Sequence, residues 1–225
     1  MLMGLSELKQ RSRIILALDR LGKLGEPEIL KGVLSRVAGV KIGLPLVLSR
    51  EFTSIMETLK NFDIYVLADF KLADIPYIMI KTIEKIADFI DGVIVHAFIG
   101  RDAISSLSEF LSKQEIELFL VVAMTHKGAE EFINRFTHEF IEIARDLANG
   151  AVAPATFPEK IVLARKLLGD KIILSPGIGA QGAGVGSAIK HGADFEIIGR
   201  LITMSSNPLA VVDKINSIHF ALVGP

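Results

Sequence analysis

Two carboxylates and an ammonium lie within six positions of one another, in the run Asp69-Phe70-Lys71-Leu72-Ala73-Asp74. They follow the apolar stretch 64–68, which predicts a β-strand. Side chains alternate in direction along a strand, so Asp69 and Lys71 are expected on the same side. One interpretation is a catalytic pair, and the other is a surface ion pair worth about 0.5 kcal/mol. Three charges together after an apolar strand favour the catalytic interpretation.

The composition limits the classes of protein to which this chain can belong. It has 225 residues, of which 50% are hydrophobic, enough for one substantial core. With 25 basic and 26 acidic residues, it lacks the charge expected of a protein that binds nucleic acid or an anionic membrane. The absence of cysteine excludes disulfides and thiolate chemistry, and suits a reducing cytosol. No apolar run is long enough for a membrane span or signal peptide, so we expect a soluble, cytoplasmic protein.

Short apolar, β-branched runs recur along the chain and alternate with segments of helical spacing. Runs that are continuously apolar are typical of strands buried on both faces, as in parallel sheets covered by helices. Eight such units predict a closed (β/α)8 TIM barrel that forms a single domain over residues 1–225. The runs are residues 13–18, 37–42, 64–68, 92–95, 118–124, 150–153, 171–174 and 195–198.

The barrel prediction places the chemically able residues at one end. In this fold, active sites lie at the carboxyl ends of the strands and in the loops that follow. Charged residues that only solvate a surface would also be expected at the opposite end, so this clustering favours an active site. The residues at or after strand ends are Asp19, Lys41, Asp69, Lys71, Thr125, His126, the turn Ser175-Pro176-Gly177, and Gly199-Arg200.

A glycine-rich loop follows the seventh predicted strand. Residues 177–182 match the dinucleotide fingerprint G-x-G-x-x-G, but too few residues follow them to complete a dinucleotide-binding domain. Exposed backbone amides near helix N-termini favour phosphate instead, with Arg200 and Gln181 as further ligands. Glycines at 182, 184 and 186 predict a loop that closes as a lid. The alternative is a plain flexible turn with Arg200 in solvent.

Taken together, these motifs resemble the orotidine 5′-monophosphate decarboxylase family, whose members catalyse the last step of de novo UMP synthesis. The resemblance covers essentially the whole chain, and its third and fifth motifs are highly specific in combination. The motifs are Ala17-Leu18-Asp19, Val40-Lys41-Ile42-Gly43, the run from Asp69 to Pro76, Val152-Ala153-Pro154-Ala155-Thr156, the run from Ser175 to Gly182, and Ile198-Gly199-Arg200.

The resemblance implies a role for each matching residue. Lys71 would protonate C6 of the pyrimidine, Asp69 would lie beside the substrate carboxylate, and Lys41 and Asp74 would complete an alternating charged array. No metal or organic cofactor is implied. Asp19 and Lys41 would hold ribose hydroxyls, Thr125 the pyrimidine edge, and Gln181 and Arg200 the phosphate. The full implied substrate-binding set is Asp19, Lys41, Asp69, Asp74, Ile75, Ile78, Thr125, Pro176, Gly177, Ile178, Gly179, Ala180, Gln181, Gly199 and Arg200.

The resemblance also implies a homodimer with shared active sites. Residues matching Asp74 and Ile75 reach the partner's site in the family. Relatives often carry Asn-Thr where this chain has Tyr77-Ile78, so a hydroxyl that reaches the partner's ligand is missing. Thr125 stands where serine is usual and keeps the hydroxyl. Phe157 stands where an arginine is frequent, so no charge role is implied there.

Two other functions compete with this interpretation. The related 3-keto-L-gulonate 6-phosphate decarboxylases and hexulose phosphate synthases share the Asp-x-Lys-x-x-Asp run but use magnesium. They carry an acidic ligand where this chain has Lys41, whose ammonium repels Mg²⁺. The second alternative is a catalytically silent nucleotide-binding barrel, which has no need to keep Lys71 between two aspartates.

The remaining polar and aromatic signals are assigned structural roles. His96 and His126 are expected to be hydrogen-bonding scaffold residues rather than general bases. No His/Asp/Glu cluster has the spacing of a metal site. The stripe Phe132, Phe136 and Phe140 predicts one helix that faces the core.

Overall fold

The computed structural model describes residues 4–19, 21–62 and 64–224. Within these ranges, eight parallel strands close into a barrel in sequence order, with β8 pairing back to β1. The predicted (β/α)8 barrel is therefore confirmed, and each predicted apolar run overlaps one strand. The strands are β1 (Ile14–Leu18), β2 (Gly39–Gly43), β3 (Tyr65–Leu72), β4 (Gly92–His96), β5 (Glu117–Val121), β6 (Gly150–Val152), β7 (Ile172–Pro176) and β8 (Phe195–Ile198).

Helices alternate with the strands and cover the outside of the barrel. None within the described ranges combines the length and apolar character needed to cross a membrane. The α-helices are α1 (Leu5–Leu8), α2 (Pro27–Leu34), α3 (Leu44–Val47), α4 (Phe52–Leu59), α5 (Pro76–Glu84), α6 (Arg101–Lys113), α7 (Thr137–Leu147), α8 (Pro158–Leu168), α9 (Ser187–Lys190), α10 (Arg200–Thr203) and α11 (Pro208–Val223). Short 3₁₀ segments span Gly22–Gly25, Ala87–Phe89, Ala97–Ile99, Lys127–Glu131 and Ile133–Phe136.

The strands are apolar on both faces because each face meets a different hydrophobic layer. Ile15 and Phe119 belong to a cluster that fills the barrel, and Leu5 and Leu8 of α1 join that cluster. Leu16 belongs to a separate cluster shared with the surrounding helices. Burying each of these side chains contributes roughly 1.5–3 kcal/mol, so both layers stabilise the frame that carries the rim residues.

Strand β3 is irregular where the charged run begins. Asp69 pairs with Ile94 and Leu72 pairs with Val95, so two residues of β3 stand opposite no residue of β4. Lys71 has a φ of 46°, a left-handed conformation that costs a non-glycine residue roughly 1–2 kcal/mol. The simple alternation expected from sequence is therefore wrong beyond Asp69. A bulge, rather than strand alternation, brings the Lys71 side chain back to Asp69.

The predicted phenylalanine helix is also wrong in part. Phe132 and Phe136 are 71% and 50% exposed, and both lie in or beside 3₁₀ segments. Only Phe140, on α7, is buried. The spacing of 3.6 residues per turn does not apply to a segment with three residues per turn, so the three rings do not share one face.

Candidate active site

Four of the predicted charged residues form one continuous chain at the carboxyl rim of the barrel. Lys41 Nζ lies 2.9 Å from Asp19 Oδ1 and 3.3 Å from Asp69 Oδ2. Lys71 Nζ lies 2.8 and 2.9 Å from the two oxygens of Asp69. The charges alternate in sign along the chain, so each cation offsets the cost of holding its neighbouring carboxylate out of water.

Neighbouring strands set this order. Lys41 on β2 pairs with Ala17 on β1, and Gly43 pairs with Asp69 on β3. A Cβ atom at Gly43 would lie 2.6 Å from Asp19 Oδ1 and 3.5 Å from Lys41 Nζ. Any side chain at position 43 would therefore displace the Asp19 carboxylate from the place where it meets Lys41. The sequence motif contained Gly43, but no sequence signal gave it this role.

Solvent exposure differs sharply among the four charged side chains. The side chains of Lys41 and Asp69 are each 9% exposed, whereas those of Lys71 and Asp19 are 38% and 50% exposed. The middle of the chain is a fixed, buried ion pair, and its ends are open. Lys71 is thus the more accessible of the two ammonium groups to a ligand entering the rim.

His96 ends β4 close to this chain and is buried. Burial, the larger cause, and the charge of Lys71 together lower the pKa of its imidazole to about 4, against the opposing effect of Asp69. The ring is therefore neutral at pH 7. Its Nδ1 has no hydrogen-bond partner among the described residues, and the ring lies against Phe98 at 4.7 Å. His126, in contrast, is exposed.

Thr125 lies half-buried in the loop after β5, and Asn134 holds the residue before it. The Asn134 side chain accepts a hydrogen bond from Met124 N at 2.9 Å and donates one to Met124 O at 3.1 Å. It also donates to Glu130. Asn134 is buried and was missed by the sequence reasoning, because nothing in the local pattern links it to a residue ten positions away.

The glycine-rich loop after β7 is folded on itself. Gly179 N donates to Ala183 O at 2.8 Å, and Ala183 N donates to Gly177 O at 3.3 Å. Gly177 and Gly179 have φ values of 108° and 71°, which favour glycine. The Gln181 side chain returns over the start of the loop, with Oε1 3.5 Å from where a Gly177 Cβ would lie.

The predicted phosphate ligands reach this place from two adjacent strands. Pro176 is the last residue of β7, and Ile178 and Ala180 follow it in the loop. Gly199 follows β8, and Arg200 begins α10 with an exposed side chain. Because β7 and β8 are neighbours in the barrel, the loop and the arginine share one side of the rim.

The segment after β3 is open to solvent. Asp74 is exposed and accepts a hydrogen bond from Ile75 N at 2.7 Å. Ile75 and Ile78, at the start of α5, are 62% and 42% exposed. Among the described residues, Asp74 forms no ion pair with Lys41 or Lys71, so it is not part of the chain formed by the other predicted charges.

Comparison with known proteins gives concordant matches. Residues 12–215 match the family model described as the orotidine 5′-phosphate decarboxylase / HUMPS family. An orotidine 5′-phosphate decarboxylase of Pyrococcus furiosus is 37% identical over 205 residues, covering 90% of this chain and 95% of the relative. One from Pyrococcus abyssi is 40% identical, covering 87% and 93%.

Solved structures agree with these sequence matches. The orotidine 5′-monophosphate decarboxylase from Sulfolobus solfataricus superposes with a TM-score of 0.85 at 36% identity, covering 94% of this chain and 99% of that one. The enzyme from Methanocaldococcus jannaschii, solved with the inhibitor BMP, gives 0.83 at 32% identity, covering 92% and 98%.

Proposed function

The chain belongs to the orotidine 5′-phosphate decarboxylase / HUMPS family, and we propose how its rim residues share the reaction that it catalyses. That reaction is the decarboxylation of orotidine 5′-monophosphate to UMP and CO2 in pyrimidine biosynthesis, the activity classed as EC 4.1.1.23. The observation that supports the residue roles is the continuous chain Asp19, Lys41, Asp69, Lys71, in which Lys71 is the more accessible ammonium.

Lys71 is the proton donor in this proposal. Loss of CO2 from C6 leaves a carbanion that no carbonyl is placed to delocalise, so the site must stabilise localised negative charge and then protonate it. A fixed ammonium does both. Lys71 donates to both oxygens of Asp69, and its side chain is 38% exposed, so its third N–H donor is left for a ligand that enters the rim.

Asp69 lies where the substrate's own carboxylate would approach. It is buried and contacts two ammonium groups, which fix its carboxylate in the position beside the reacting carboxylate. When CO2 leaves, the negative charge of the substrate carboxylate no longer lies beside Asp69. The carbanion that forms at C6 is stabilised and protonated by Lys71. The fixed charges therefore favour the transition state over the bound substrate.

The outer residues bind the rest of the nucleotide. Asp19 and Lys41 take the ribose hydroxyls, because their ion pair lies at the edge of the chain where Asp19 is open to solvent. Thr125 takes the pyrimidine edge, and its backbone is fixed through Asn134. The phosphate is taken by Arg200, Gln181 and the loop backbone.

Distant phosphate binding is needed because one ammonium is not enough. Enzymes lower barriers by roughly 8–23 kcal/mol, more than a single Lys contact supplies. In this proposal, the phosphate binding energy holds the carboxylate against Asp69 and keeps the loop over the nucleotide. The remaining loop positions, Pro176, Gly177, Ile178, Gly179, Ala180 and Gly199, shape this pocket.

The reaction in this proposal uses no metal or organic cofactor. Within the described residues, no group of three or more His, Cys, Asp or Glu side chains is arranged to hold a metal ion. Lys41 Nζ also lies 3.3 Å from Asp69 Oδ2, and an ammonium this close to the carboxylate repels Mg²⁺. The magnesium-dependent branch of the family is therefore the weaker candidate.

We also propose a homodimer with shared sites. Shortly after β3, the side chains of Ile75, Tyr77 and Ile78 are exposed. Beside them is an apolar groove of about 530 Å³, lined by Leu44, Val47, Phe70, Leu72 and Ile78, with Lys81, Thr82 and Lys85 at its polar side. A second copy would cover this surface and bring Asp74 to its neighbour's site. Sizing in solution tests this, and a stable, fully active monomer would contradict it.

Two broader assignments complete the proposal. The 225 residues act as one domain, since the barrel and the helices around it use the chain from α1 to α11. A cytoplasmic location suits a chain without cysteine.

The activity and its independence of metal are tested together. Purified protein is mixed with orotidine 5′-monophosphate, and the pyrimidine absorbance is followed with and without EDTA. We expect the same conversion to UMP in both samples. Conversion that EDTA abolishes would contradict the metal-free site, and absence of conversion in both would contradict the activity.

A further inference from the structure

A buried carboxylate lies behind the phosphate loop, in a strand that the sequence presents as apolar. Glu196 in β8 is fully buried, and His219 on α11 is 1% exposed. The flanking residues Phe195 and Ile197 face the barrel interior, so Glu196 points outward between the barrel and the helices. A buried carboxylate is costly unless each oxygen is bound, so its partners show what it holds in place.

Both oxygens of Glu196 bind the returning end of the glycine-rich loop. Gly186 N donates to Oε2 at 2.9 Å, and Ala188 N donates to Oε1 at 3.0 Å. His219 Nε2 lies 2.8 Å from Oε2. Both oxygens already accept backbone N–H groups, and the His219 ring makes the third contact, so His219 fixes the carboxylate from behind.

The same end of the loop is pressed against α11. Gly186 has a φ of 80°. A Cβ atom there would lie 2.6 Å from Leu222 Cδ1 and 3.1 Å from Ile218 Cγ2. The backbone at Gly186 is therefore closely packed against α11, and the two hydrogen bonds to Glu196 hold it in that position.

The loop also leaves the barrel beside Glu196. Ser175 of β7 pairs with Glu196 in the sheet and directly precedes Pro176, where the loop starts. Gly199 and Arg200 follow Glu196 on the same strand end. The Glu196 carboxylate thus lies next to both ends of the loop. It also belongs to β8, the strand that Arg200 follows.

We propose that Glu196, held by His219, is a positioning residue that fixes the Gly177–Gly186 loop for the substrate phosphate. The inference rests on the phosphate role proposed above for Gln181 and Arg200. Glu196 does not touch the substrate. It sets the span of the loop in advance, so that less binding energy is lost in ordering the loop when the phosphate arrives.

The test compares substrates with and without the phosphate. Glu196→Gln keeps the size of the side chain but turns one acceptor oxygen into a donor that faces a backbone N–H. We expect its kcat/KM for orotidine 5′-monophosphate to fall about 10- to 100-fold. Its kcat/KM for orotidine, which lacks the phosphate, should stay within about two-fold of the wild-type value, because the pyrimidine and ribose contacts are untouched.

A second pair of variants tests the histidine. His219→Gln retains a nitrogen donor toward Glu196 and should behave like the wild type in this comparison, whereas His219→Leu should behave like Glu196→Gln. The matched control is Asp194→Asn, since Asp194 is also buried and also accepts a strand amide, from Ile173 N at 2.7 Å. It lies at the opposite end of the barrel and should leave the ratio of the two substrates unchanged.

The outcomes separate this inference from the proposed activity. Equal losses on both substrates in Glu196→Gln, or no loss on either, would overturn the positioning role. If Glu196→Gln does not fold, the ratio measured on His219→Leu decides. If the wild-type protein does not turn over, the proposed activity fails, and the affinities for UMP and uridine in the same variants still decide whether Glu196 serves phosphate binding.

Discussion

Asp194 at the amino end of the barrel and Asp69 at the carboxyl end are two carboxylates in similar settings. Their side chains are 10% and 9% exposed, and each contacts two cations. Asp194 lies 2.6 Å from both Lys9 Nζ and Arg165 Nη2. Asp69 contacts the two lysines of the rim chain. Neither burial nor ion pairing distinguishes the two sites.

The difference lies in how completely the polar groups are used. Asp194 Oδ2 also accepts from Ile173 N, and Arg165 further donates to the backbone oxygens of Gly192 and Lys171 at 2.9 Å and to that of Gly169. Around Asp69, the contacts are between side chains, and one cation remains open to solvent. A saturated cluster stabilises the fold, whereas an unsaturated one retains donors for a ligand.

The backbone shows the same contrast. Lys71 has a left-handed φ in a bulge, a conformation that costs free energy and persists because the surrounding barrel enforces it. Strand β8, beside Asp194, pairs regularly with β7 and β1. At the carboxyl end, therefore, the fold keeps an unfavourable backbone conformation that places the Lys71 ammonium.

The strongest test of the comparison substitutes one lysine at each end. Lys71→Ala is expected to lower turnover of orotidine 5′-monophosphate by at least about 10³-fold, because the proton donor and a fixed charge are both lost. Lys9→Ala removes an equally close partner of a buried aspartate and should leave turnover within about two-fold. Steady-state kinetics decide. Similar losses in the two variants would remove the distinction between the two ends.

The reverse contrast is expected for stability. Asp194→Asn should lower the free energy of unfolding by about 2–4 kcal/mol, because it disrupts buried bonds to two cations and a strand amide. Asp69→Asn should cost at most about 1 kcal/mol, since Lys41 keeps Asp19 and Lys71 reaches water. Urea unfolding of both variants measures this. A larger loss for Asp69→Asn would mean that the carboxyl-end chain is chiefly structural.

A smaller effect is expected from pH at His96. Its pKa is about 4 in the folded protein, against 6.5 for an unperturbed histidine. Between these values the unfolded chain binds a proton that the folded protein does not, so the folded state loses stability as the pH falls. His96→Gln removes this contribution, and its unfolding free energy relative to the wild type should improve by about 1–2 kcal/mol from pH 7 to pH 5. A difference that does not change with pH would show that His96 is protonated normally.

Much of this arrangement was predictable from sequence, for a physical reason. Continuous apolar runs need cover on both faces, and eight of them leave a closed barrel as the natural solution. Strand ends then assemble Asp19, Lys41, Asp69 and Lys71 without any knowledge of side-chain contacts. The bulge at Lys71 was not predictable, because it depends on the register of β3 against a strand more than twenty residues away.

Charged residues also lie at the amino end of the barrel. From the sequence, charges at that end are expected only where they solvate the surface. Asp91, Glu117 and Asp194 instead form hydrogen bonds that hold neighbouring strands together. Tyr65, for example, donates to Glu117 Oε2 at 2.6 Å, and burial raises the pKa of its hydroxyl. A charge at a strand end therefore signals function only once its hydrogen-bond partners are known.

The spacing of apolar residues did not predict two other features, the buried Glu196 and the exposed Phe132 and Phe136. Residues 195–198 predict an apolar strand although they include Glu196, because one charged residue among four does not break the pattern. Phe132 and Phe136 have helical spacing but lie at 3₁₀ segments, where that spacing places them outside the core. Both outcomes depend on contacts between elements distant in sequence.

The most direct test of the account measures UMP affinity and turnover in the same preparation of Lys71→Ala. If Lys71 acts in the chemical step, UMP should bind with a dissociation constant within about ten-fold of the wild-type value while turnover is lost, because the ribose and phosphate ligands remain in place. Turnover near the wild-type rate would contradict the account. So would a loss of UMP affinity as large as the loss of turnover, which would make Lys71 a binding residue rather than the proton donor.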